Sequence, residues 1–317
     1  MERKIKHFFR DINQWAFHTA LLSLFIAVPI FTIIAKLFGG PGEMWSHIVT
    51  YFLFDYISNS VLLLIGTGLL CGIMGTTTAW IVTKYDFPFR SLLEWLLFMP
   101  LAIPSYIVAY AYVGLLGNGG SFIRLLQGLG FSIQKIEMMN LGGLIWVLSV
   151  SLFPYVYASA RAMFSNQSPI LRDTARLLGA SDRRYFFSIA LPMAFPAVIG
   201  GLFLVFMEVL NDYGAAKYYG INTFTTGIFR TWTALEDLPS AIYLSALLVV
   251  LVFTLMTLVY LQRGKKSYSV KVRAARSKSK QRIQLEGYKK IIYPSLLALP
   301  ILFGFILPIA QLIYWAT

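Results

Sequence analysis

Long apolar runs separated by short polar stretches dominate the chain. Seven of them reach the length of about 20 residues that a helix needs to cross a hydrocarbon core about 30 Å thick. The runs lie at Thr19–Phe38, Ile57–Val82, Leu92–Leu116, Leu141–Ala160, Pro192–Leu210, Ala241–Leu261 and Ile291–Trp315. This pattern predicts an all-α polytopic membrane protein with about seven transmembrane helices.

One polar segment between two of these runs, residues 168–192, has a helical pattern of its own. It begins with a capping hydroxyl followed by proline, which is typical of a helix start. An amphipathic helix follows and stops at a glycine, after which a second capping position begins another short helix. These features are carried in order by Ser168 and Pro169, by Leu171, Ala175 and Leu178 on one face, by Gly179, and by Ser181 and Asp182.

The composition agrees with a membrane protein. Of 317 residues, 57% are hydrophobic and 13% are charged, whereas a soluble domain carries about 25% charged residues. The single cysteine, Cys71, lies in an apolar run. It forms no disulfide within the chain and does not indicate a redox compartment.

The basic residues that give the chain its net charge of +13 are distributed unevenly, and their distribution predicts a topology. With the N-terminus in the cytoplasm, the cytoplasmic segments hold 22 of the 27 Lys and Arg residues. Basic residues favour the cytoplasmic side of membrane proteins. We therefore predict a basic cytoplasmic N-terminus (1–18), a first transmembrane helix with its outer loop (19–55), a transmembrane domain (56–262), a basic cytoplasmic linker (263–290) and a further helix (291–317).

The basic linker, 263–290, is poor in large apolar side chains. We expect it to contact anionic lipid headgroups rather than to pack in a core. A nucleic-acid partner is disfavoured, because aromatic residues are sparse there and membrane helices flank the linker.

The last apolar run has a proline near its middle, as the first has. This similarity favours the interpretation that the last run begins a second copy of the architecture.

Neither a metal site nor an enzyme active site is indicated. His7, His18 and His47 have no Cys, Asp or Glu at ligand spacing, so they are expected to be interface or loop residues. The chain also has no Ser-His-Asp set, no HExxH, no Walker A motif and no paired catalytic carboxylates on facing spans. We therefore expect no catalytic residues.

Acidic residues within the fifth apolar run are the other candidates for function. Glu208, Asn211 and Asp212 share a helical face. Ionisable groups at such depth are costly and usually face a bundle interior or an aqueous path. Two interpretations stay open: these residues lie at a translocation path or gate, or Glu208 bonds to a neighbouring helix and Asp212 lies among the headgroups.

In the third run, Pro100 and Pro104 predict a kink.

The polar segment 168–192 resembles the EAA loop of binding-protein-dependent ABC importer permeases of type I. That motif is Glu-Ala-Ala, three residues, Gly, nine residues, Ile, one residue and Leu-Pro. Here the spacing is kept, with Asp in place of Glu and Thr in place of the first Ala, at Asp173, Thr174, Ala175, Gly179, Ile189, Leu191 and Pro192. Residues 59–115 and 206–232 resemble ferric-iron-type permeases in particular.

This resemblance implies a six-helix permease core plus the first helix of a second half, in the plasma (inner) membrane of a prokaryote. The loop residues would dock onto a cytoplasmic ABC ATPase dimer, which would hold ATP and Mg, so that this chain needs no cofactor. A binding protein would deliver a small solute, by likeness ferric iron, with thiamine or a polyamine as alternatives. The second permease half would be a C-terminal continuation, a separate chain or another copy.

Other functions remain open at this point. An ion-coupled carrier would use intramembrane acids such as Glu208, but it has no use for an ATPase-docking loop. A truncated, non-functional permease remnant is a further alternative. A fragment, a frameshifted product and a split permease are all compatible with the sequence.

Overall fold

Seven helical segments of the computed structural model, which describes residues 14–132, 135–263 and 282–317, are long and apolar enough to cross a membrane. They are Ala16–Leu37, Leu53–Lys84, Ser105–Gly128, Leu141–Ser165, Asp182–Asn211, Leu238–Leu258 and Lys289–Ala316. This confirms the predicted all-α membrane class. The basic residues 1–13, with His7, and residues 264–281 of the predicted linker lie outside the described residues.

Fifteen α-helices lie within the described residues. They are α1 (Gln14–Leu37), α2 (Trp45–Tyr51), α3 (Leu53–Lys84), α4 (Arg90–Leu96), α5 (Ser105–Leu116), α6 (Ser121–Gly128), α7 (Leu141–Ser165), α8 (Pro169–Leu177), α9 (Asp182–Tyr185), α10 (Leu191–Asn211), α11 (Gly214–Tyr218), α12 (Phe224–Thr233), α13 (Leu238–Arg263), α14 (Lys289–Ile301) and α15 (Leu307–Ala316). Wider π turns at Phe186–Ala190 and Leu302–Ile306 join α9 to α10 and α14 to α15.

The third predicted span, Leu92–Leu116, is not one helix. It is divided into α4, a 3-10 turn at Met99–Ala102 and α5. Pro100 lies in the turn and Pro104 precedes α5, and Ile103 between them is extended. Proline lacks an N–H group and disfavours helical backbone in the residue before it. The expected kink is therefore a complete break.

The core of the bundle lies where α3 and α10 pack against α7. Two glycines mark the closest approach. A Cβ atom at Gly75 of α3 would lie 2.7 Å from Cβ of Val156, and one at Gly201 of α10 would lie 2.8 Å from Cα of the same residue. Small residues let membrane helices approach closely, so both helices approach α7 at Val156.

Replacing Gly75 with alanine is expected to destabilise the bundle by about 1–3 kcal/mol, because the new methyl group overpacks a tight contact. It would lie 2.8 Å from the backbone nitrogen of Tyr157, which cannot rotate away. Gly72→Ala is the matched control, since its nearest neighbour would be a Leu202 methyl group at 3.8 Å. Thermal denaturation in detergent measures the difference, and equal melting temperatures for the two variants would contradict this packing.

The end of the predicted linker packs, contrary to expectation. Ile283–Gln284 (β2) pairs in parallel with Tyr85–Asp86 (β1), and Leu285 is 3% exposed. Its N–H group donates to the carbonyl of Asp86 at 3.2 Å. The pairing satisfies backbone groups and buries Leu285, one of the few large apolar residues of the linker.

The first and last spans differ in how they pack. The segment Lys289–Ala316 is inserted into the bundle: Tyr112 donates to the carbonyl of Phe303 at 2.8 Å, and Leu297 and Ile301 are buried. In contrast, α1 is exposed along its most apolar stretch, and Tyr243 donates to the Leu37 carbonyl at its end, at 2.7 Å.

Candidate functional site

The segment 168–192, called here the docking segment, turns sharply at a glycine. Gly179 has a φ of +80°, in the left-handed region that favours glycine. Its N–H donates to the carbonyl of Arg176 at 2.9 Å, and the N–H of Ala180 donates to that of Ala175 at 2.9 Å. These two bonds close the end of α8 in the manner of a Schellman motif. The predicted glycine stop is confirmed.

The start of α8 differs from expectation in one respect. Pro169 occupies the first helical position as predicted, but the Ser168 hydroxyl makes no capping bond. The first turn is closed instead by the N–H of Leu171, which donates to the Ser168 carbonyl at 3.2 Å. The second predicted cap is present, because the Ser181 hydroxyl accepts from the N–H of Arg184 at 3.3 Å.

The docking segment continues into the membrane without a break. The helix α9, the π turn and α10 form one helical segment of 30 residues, Asp182–Asn211. At 1.5 Å per residue its length is about 45 Å. Ile189, Leu191 and Pro192 of the motif all lie within it. A displacement of the segment's end is therefore transmitted along a single helix into the bundle.

The docking segment presents an apolar tip to its surroundings. Leu177 is 88% exposed, Leu178 is 83% exposed and Ile170 is 71% exposed; we call these three residues the apolar tip. Ala175 is buried, as the amphipathic pattern predicts. Leu178 does not share that face, because α8 ends at Leu177 and Leu178 lies beyond its last turn. Asp173 and Thr174 are exposed beside the tip.

A buried lysine ties the docking segment to the bundle. The Nζ atom of Lys84, at the end of α3, lies 3.2 Å from a carboxylate oxygen of Asp182. It also lies 4.6 Å from the ring centre of Trp80 and 5.9 Å from that of Tyr185, which favours its positive charge. From the sequence, Lys84 contributes only to the predicted topology. No local pattern indicates that it pairs with a residue as distant in sequence as Asp182.

The acidic residues in and directly after α10, Glu208 and Asp212, have separate roles. Asp212 accepts from the N–H groups of Ala215 at 2.9 Å and Ala216 at 3.2 Å, and from the hydroxyl of Ser105. From the position before the N-cap residue Tyr213, its side chain thus accepts from free N–H groups at the start of α11. Glu208 has one polar contact, the hydroxyl of Tyr155 at 3.3 Å, so it retains most of its capacity to accept hydrogen bonds.

The three predicted α10 residues do lie together. Glu208, Asn211 and Asp212 line a cavity of about 330 Å³ with Ser105, Leu152, Tyr213 and Gly214; we call it the acid cavity. Glu208 and Asn211 are exposed. Glu208 is 17 positions after Leu191, or about 26 Å along the helix. The acid cavity and the apolar tip therefore lie toward opposite ends of one continuous helix.

The described residues contain no cluster of three or more His, Cys, Asp or Glu side chains that could hold a metal ion. His18 and His47 each contact aromatic rings: His18 that of Phe17, and His47 those of Tyr51 and Phe52. The geometry thus contains two candidate sites, a rigidly attached docking segment and a cavity with a carboxylate that is free to accept bonds.

Comparison with protein families decides which kind of membrane protein this is. The profile of the family described as the binding-protein-dependent transport system inner membrane component matches residues 68–266. The chain belongs to this family. The matched region includes the docking segment and the residues of the acid cavity in α10. As a multi-pass inner membrane component of a transport system, the chain is not an enzyme.

Two relatives are named for molybdenum and for sulfate transport. The molybdenum transport permease ModB of Escherichia coli (strain K12) is 31% identical over 171 residues, which cover 53% of this chain and 69% of that protein. The sulfate transport permease CysT of Salmonella typhimurium (strain LT2) is 26% identical over 151 residues, or 48% of this chain and 53% of that protein. The chain thus spans about half the length of this sulfate permease. These relatives do not show the expected closeness to ferric-iron-type permeases.

Solved structures share the fold. A crystal structure of a bacterial alginate ABC transporter, in complex with its pentasaccharide-bound periplasmic protein, matches with a TM-score of 0.64 and 18% identity. The match covers 81% of this chain and 96% of that one. This establishes that the chain shares the fold of the matched chain of that transporter.

Proposed function

We propose that this chain is the membrane-spanning permease subunit of an ABC importer that works with a separate cytoplasmic ATPase dimer and a substrate-binding protein. One observation carries the proposal: a continuous helical segment, Asp182–Asn211, connects the apolar tip at one end of the bundle to the acid cavity toward the other. A solute importer driven by a cytoplasmic ATPase needs such a mechanical connection.

The apolar tip is the proposed contact with the ATPase. Three large apolar side chains exposed along one short helix and at its end are poorly placed in water, but they suit a cleft on a partner protein. Lys84 and Asp182 hold the segment against α3, so a push on the tip moves the bundle instead of bending the loop. Asp173, Thr174 and Gly179 border the contact.

The acid cavity is the proposed part of the solute path. An ionisable group that faces lipid is costly, and Glu208 is exposed on a membrane helix. We infer that a second permease half covers this face, as a C-terminal continuation, a separate chain or another copy. Solute would then pass between the halves, beside Glu208 and Asn211. The charge distribution of the sequence favours a cytoplasmic N-terminus and docking segment.

Two solute classes are supported by different observations. The carboxylate of Glu208 beside the phenol of Tyr155, 3.3 Å apart, supplies hard oxygen donors that suit a cation such as ferric iron. The names of the relatives instead support an oxyanion such as sulfate or molybdate. An ion-coupled carrier is disfavoured, because it leaves the apolar tip without a role.

Reconstitution tests the proposed function. The chain is coexpressed with its second permease half and an ABC ATPase encoded in the same genome, and the complex is placed in liposomes with the binding protein outside. We expect ATP hydrolysis to rise when solute-loaded binding protein is added, with solute accumulating inside. The control is the ATPase without the membrane subunits. A non-functional remnant predicts no accumulation, and a carrier predicts uptake without ATP; either result would contradict the proposal.

A further inference from the structure

A second cavity lies beside the docking segment, at the end of the bundle opposite the acid cavity. Its volume is about 100 Å³, it is open on one side, and it is lined by the ends of α3 and α7, by α4, by residues of the docking segment and by the residue before β2. Four basic side chains line it, Lys84, Arg90, Arg172 and Arg282, and Glu94 is the one acidic residue among its lining residues. We call it the basic cavity.

Three nearby acidic side chains are already engaged. Glu94 forms an ion pair with Arg90 at 2.8 Å and another with Arg161. Asp182 lies 3.2 Å from both Lys84 and Arg176. Asp86 accepts from the side chain of Gln284 at 3.0 Å and lies 3.9 Å from Arg90.

Two arginines of the basic cavity are left without partners. The Nε atoms of Arg172 and Arg282 are buried and have no hydrogen-bond partner, and neither side chain forms an ion pair within the part of the chain that the structure describes. A buried donor without a partner is costly, and in native proteins it usually has an explanation such as a bound ion. Burial, and next the neighbouring charge of Arg90, lower the pKa of Arg282, in keeping with a strongly positive interior.

We propose that the basic cavity binds an oxyanion of the phosphate or sulfate type. The planar guanidinium groups of Arg172 and Arg282 have donors arranged to hold two oxygens of such an anion. Gln167 and Ser168 also line the cavity, and the Ser168 hydroxyl makes no capping bond, so it can donate to the same ligand. The anion is either free in solution or the headgroup phosphate of an anionic lipid.

Binding there would connect separate parts of the chain. Arg172 belongs to α8 of the docking segment, Arg282 precedes β2 and Arg90 begins α4. An anion between them would fix α8 against the bundle, and so set the position of the apolar tip. The binding itself does not depend on a transport role; only this consequence for docking rests on the proposed function.

Anion binding is measured on the full chain purified in a neutral detergent. Sodium sulfate is expected to raise the melting temperature above that in sodium chloride of equal ionic strength, by about 5 °C at a hundredfold excess over the Kd. Arg172→Gln and Arg282→Gln are each expected to weaken sulfate binding by about 10- to 100-fold, because each removes charge-assisted hydrogen bonds. Lys290→Gln, which removes an exposed charge outside the cavity, is the matched control.

The source of the anion is separated in lipid nanodiscs. With a free oxyanion, sulfate stabilises the chain equally in neutral phosphatidylcholine and in phosphatidylglycerol. With a lipid headgroup, phosphatidylglycerol itself stabilises the chain, native mass spectrometry finds it retained, and both arginine variants lose it. Either pattern supports the basic cavity as an oxyanion site.

Two results would overturn the proposal. One is a melting temperature that neither sulfate nor phosphatidylglycerol raises relative to its control. The other is an equal loss of anion binding in Lys290→Gln, which would mean a general charge effect. If the glutamine variants do not fold, Arg172→Lys and Arg282→Lys keep the charge and remove the guanidinium fork; unchanged anion binding in both would contradict the arginine geometry.

Discussion

Gly179→Asp is expected to abolish copurification of the ATPase with this chain while leaving the chain folded in the membrane. A Cβ at Gly179 meets no atom within 4 Å, and Asp tolerates the left-handed region better than most residues. The new carboxylate lies next to Leu178 of the apolar tip, where docking would bury it without a partner. A buried unpaired charge costs several kcal/mol, so the ATPase affinity should fall by at least about a hundredfold.

Two matched variants separate docking from backbone strain. Gly179→Asn has nearly the same shape without the charge and should retain most of the affinity. Gly220→Asp makes the same substitution at another glycine of positive φ, +71°, which also has open space around it but lies in the loop after α11. It should copurify with the ATPase like the wild type. Normal copurification of Gly179→Asp would show that the ATPase docks elsewhere.

The sequence was most informative for features that depend on a single segment, such as a membrane span or the end of a helix. Whether a run of about 20 residues spans a membrane depends on its own hydropathy, so the number of spans could be predicted. The third was misplaced, since its helix lies at Ser105–Gly128. The stop at Gly179 likewise depends on one residue, since glycine adopts a positive φ at little cost. In the same way, Ser181 and Asp182 indicate the start of a helix without reference to the rest of the fold.

Contacts between distant segments could not be predicted. Lys84 and Asp182 are separated by two membrane spans, and no local pattern links them. The packing of Leu285 depends on the pairing of β1 with β2, two residues each, which is too short to leave a periodic signal. The position of the break at Pro100 and Pro104 was predicted correctly, but its extent was underestimated. The sequence stays apolar across the break, whereas the helix does not continue through it.

For the acid cavity, the sequence predicted which residues lie together but not the role of each. One helical face correctly groups Glu208, Asn211 and Asp212. Their roles differ because Ser105 and the start of α11 occupy both carboxylate oxygens of Asp212. Only Glu208 keeps most of its acceptor capacity, and this distinction comes from neighbours that a helical pattern does not contain.

Glu208→Gln is expected to change solute uptake in opposite directions for the two solute classes. The substitution keeps the shape of the side chain and removes its negative charge from the wall of the acid cavity. A unit charge at about 5 Å contributes about 3 kcal/mol at an effective dielectric constant of about 20. If the solute is a cation such as ferric iron, the rate of uptake should fall by about 10- to 100-fold. If the solute is an oxyanion, its uptake should rise, because Glu208 repels it.

The measurement is ATP-dependent uptake by the complete complex in liposomes, with ferric iron, sulfate and molybdate as separate solutes and a matching binding protein for each. Glu43→Gln removes an exposed carboxylate from the loop before α2 and should leave every rate unchanged. Asp212→Ala should lower the melting temperature instead, because it removes the acceptor for the free N–H groups at the start of α11, which is worth about 1 kcal/mol. Unaltered uptake of the transported solute by Glu208→Gln would place the solute path away from the acid cavity. The sign of a change would identify the charge of the solute, since only a cation is attracted by the carboxylate that the substitution removes.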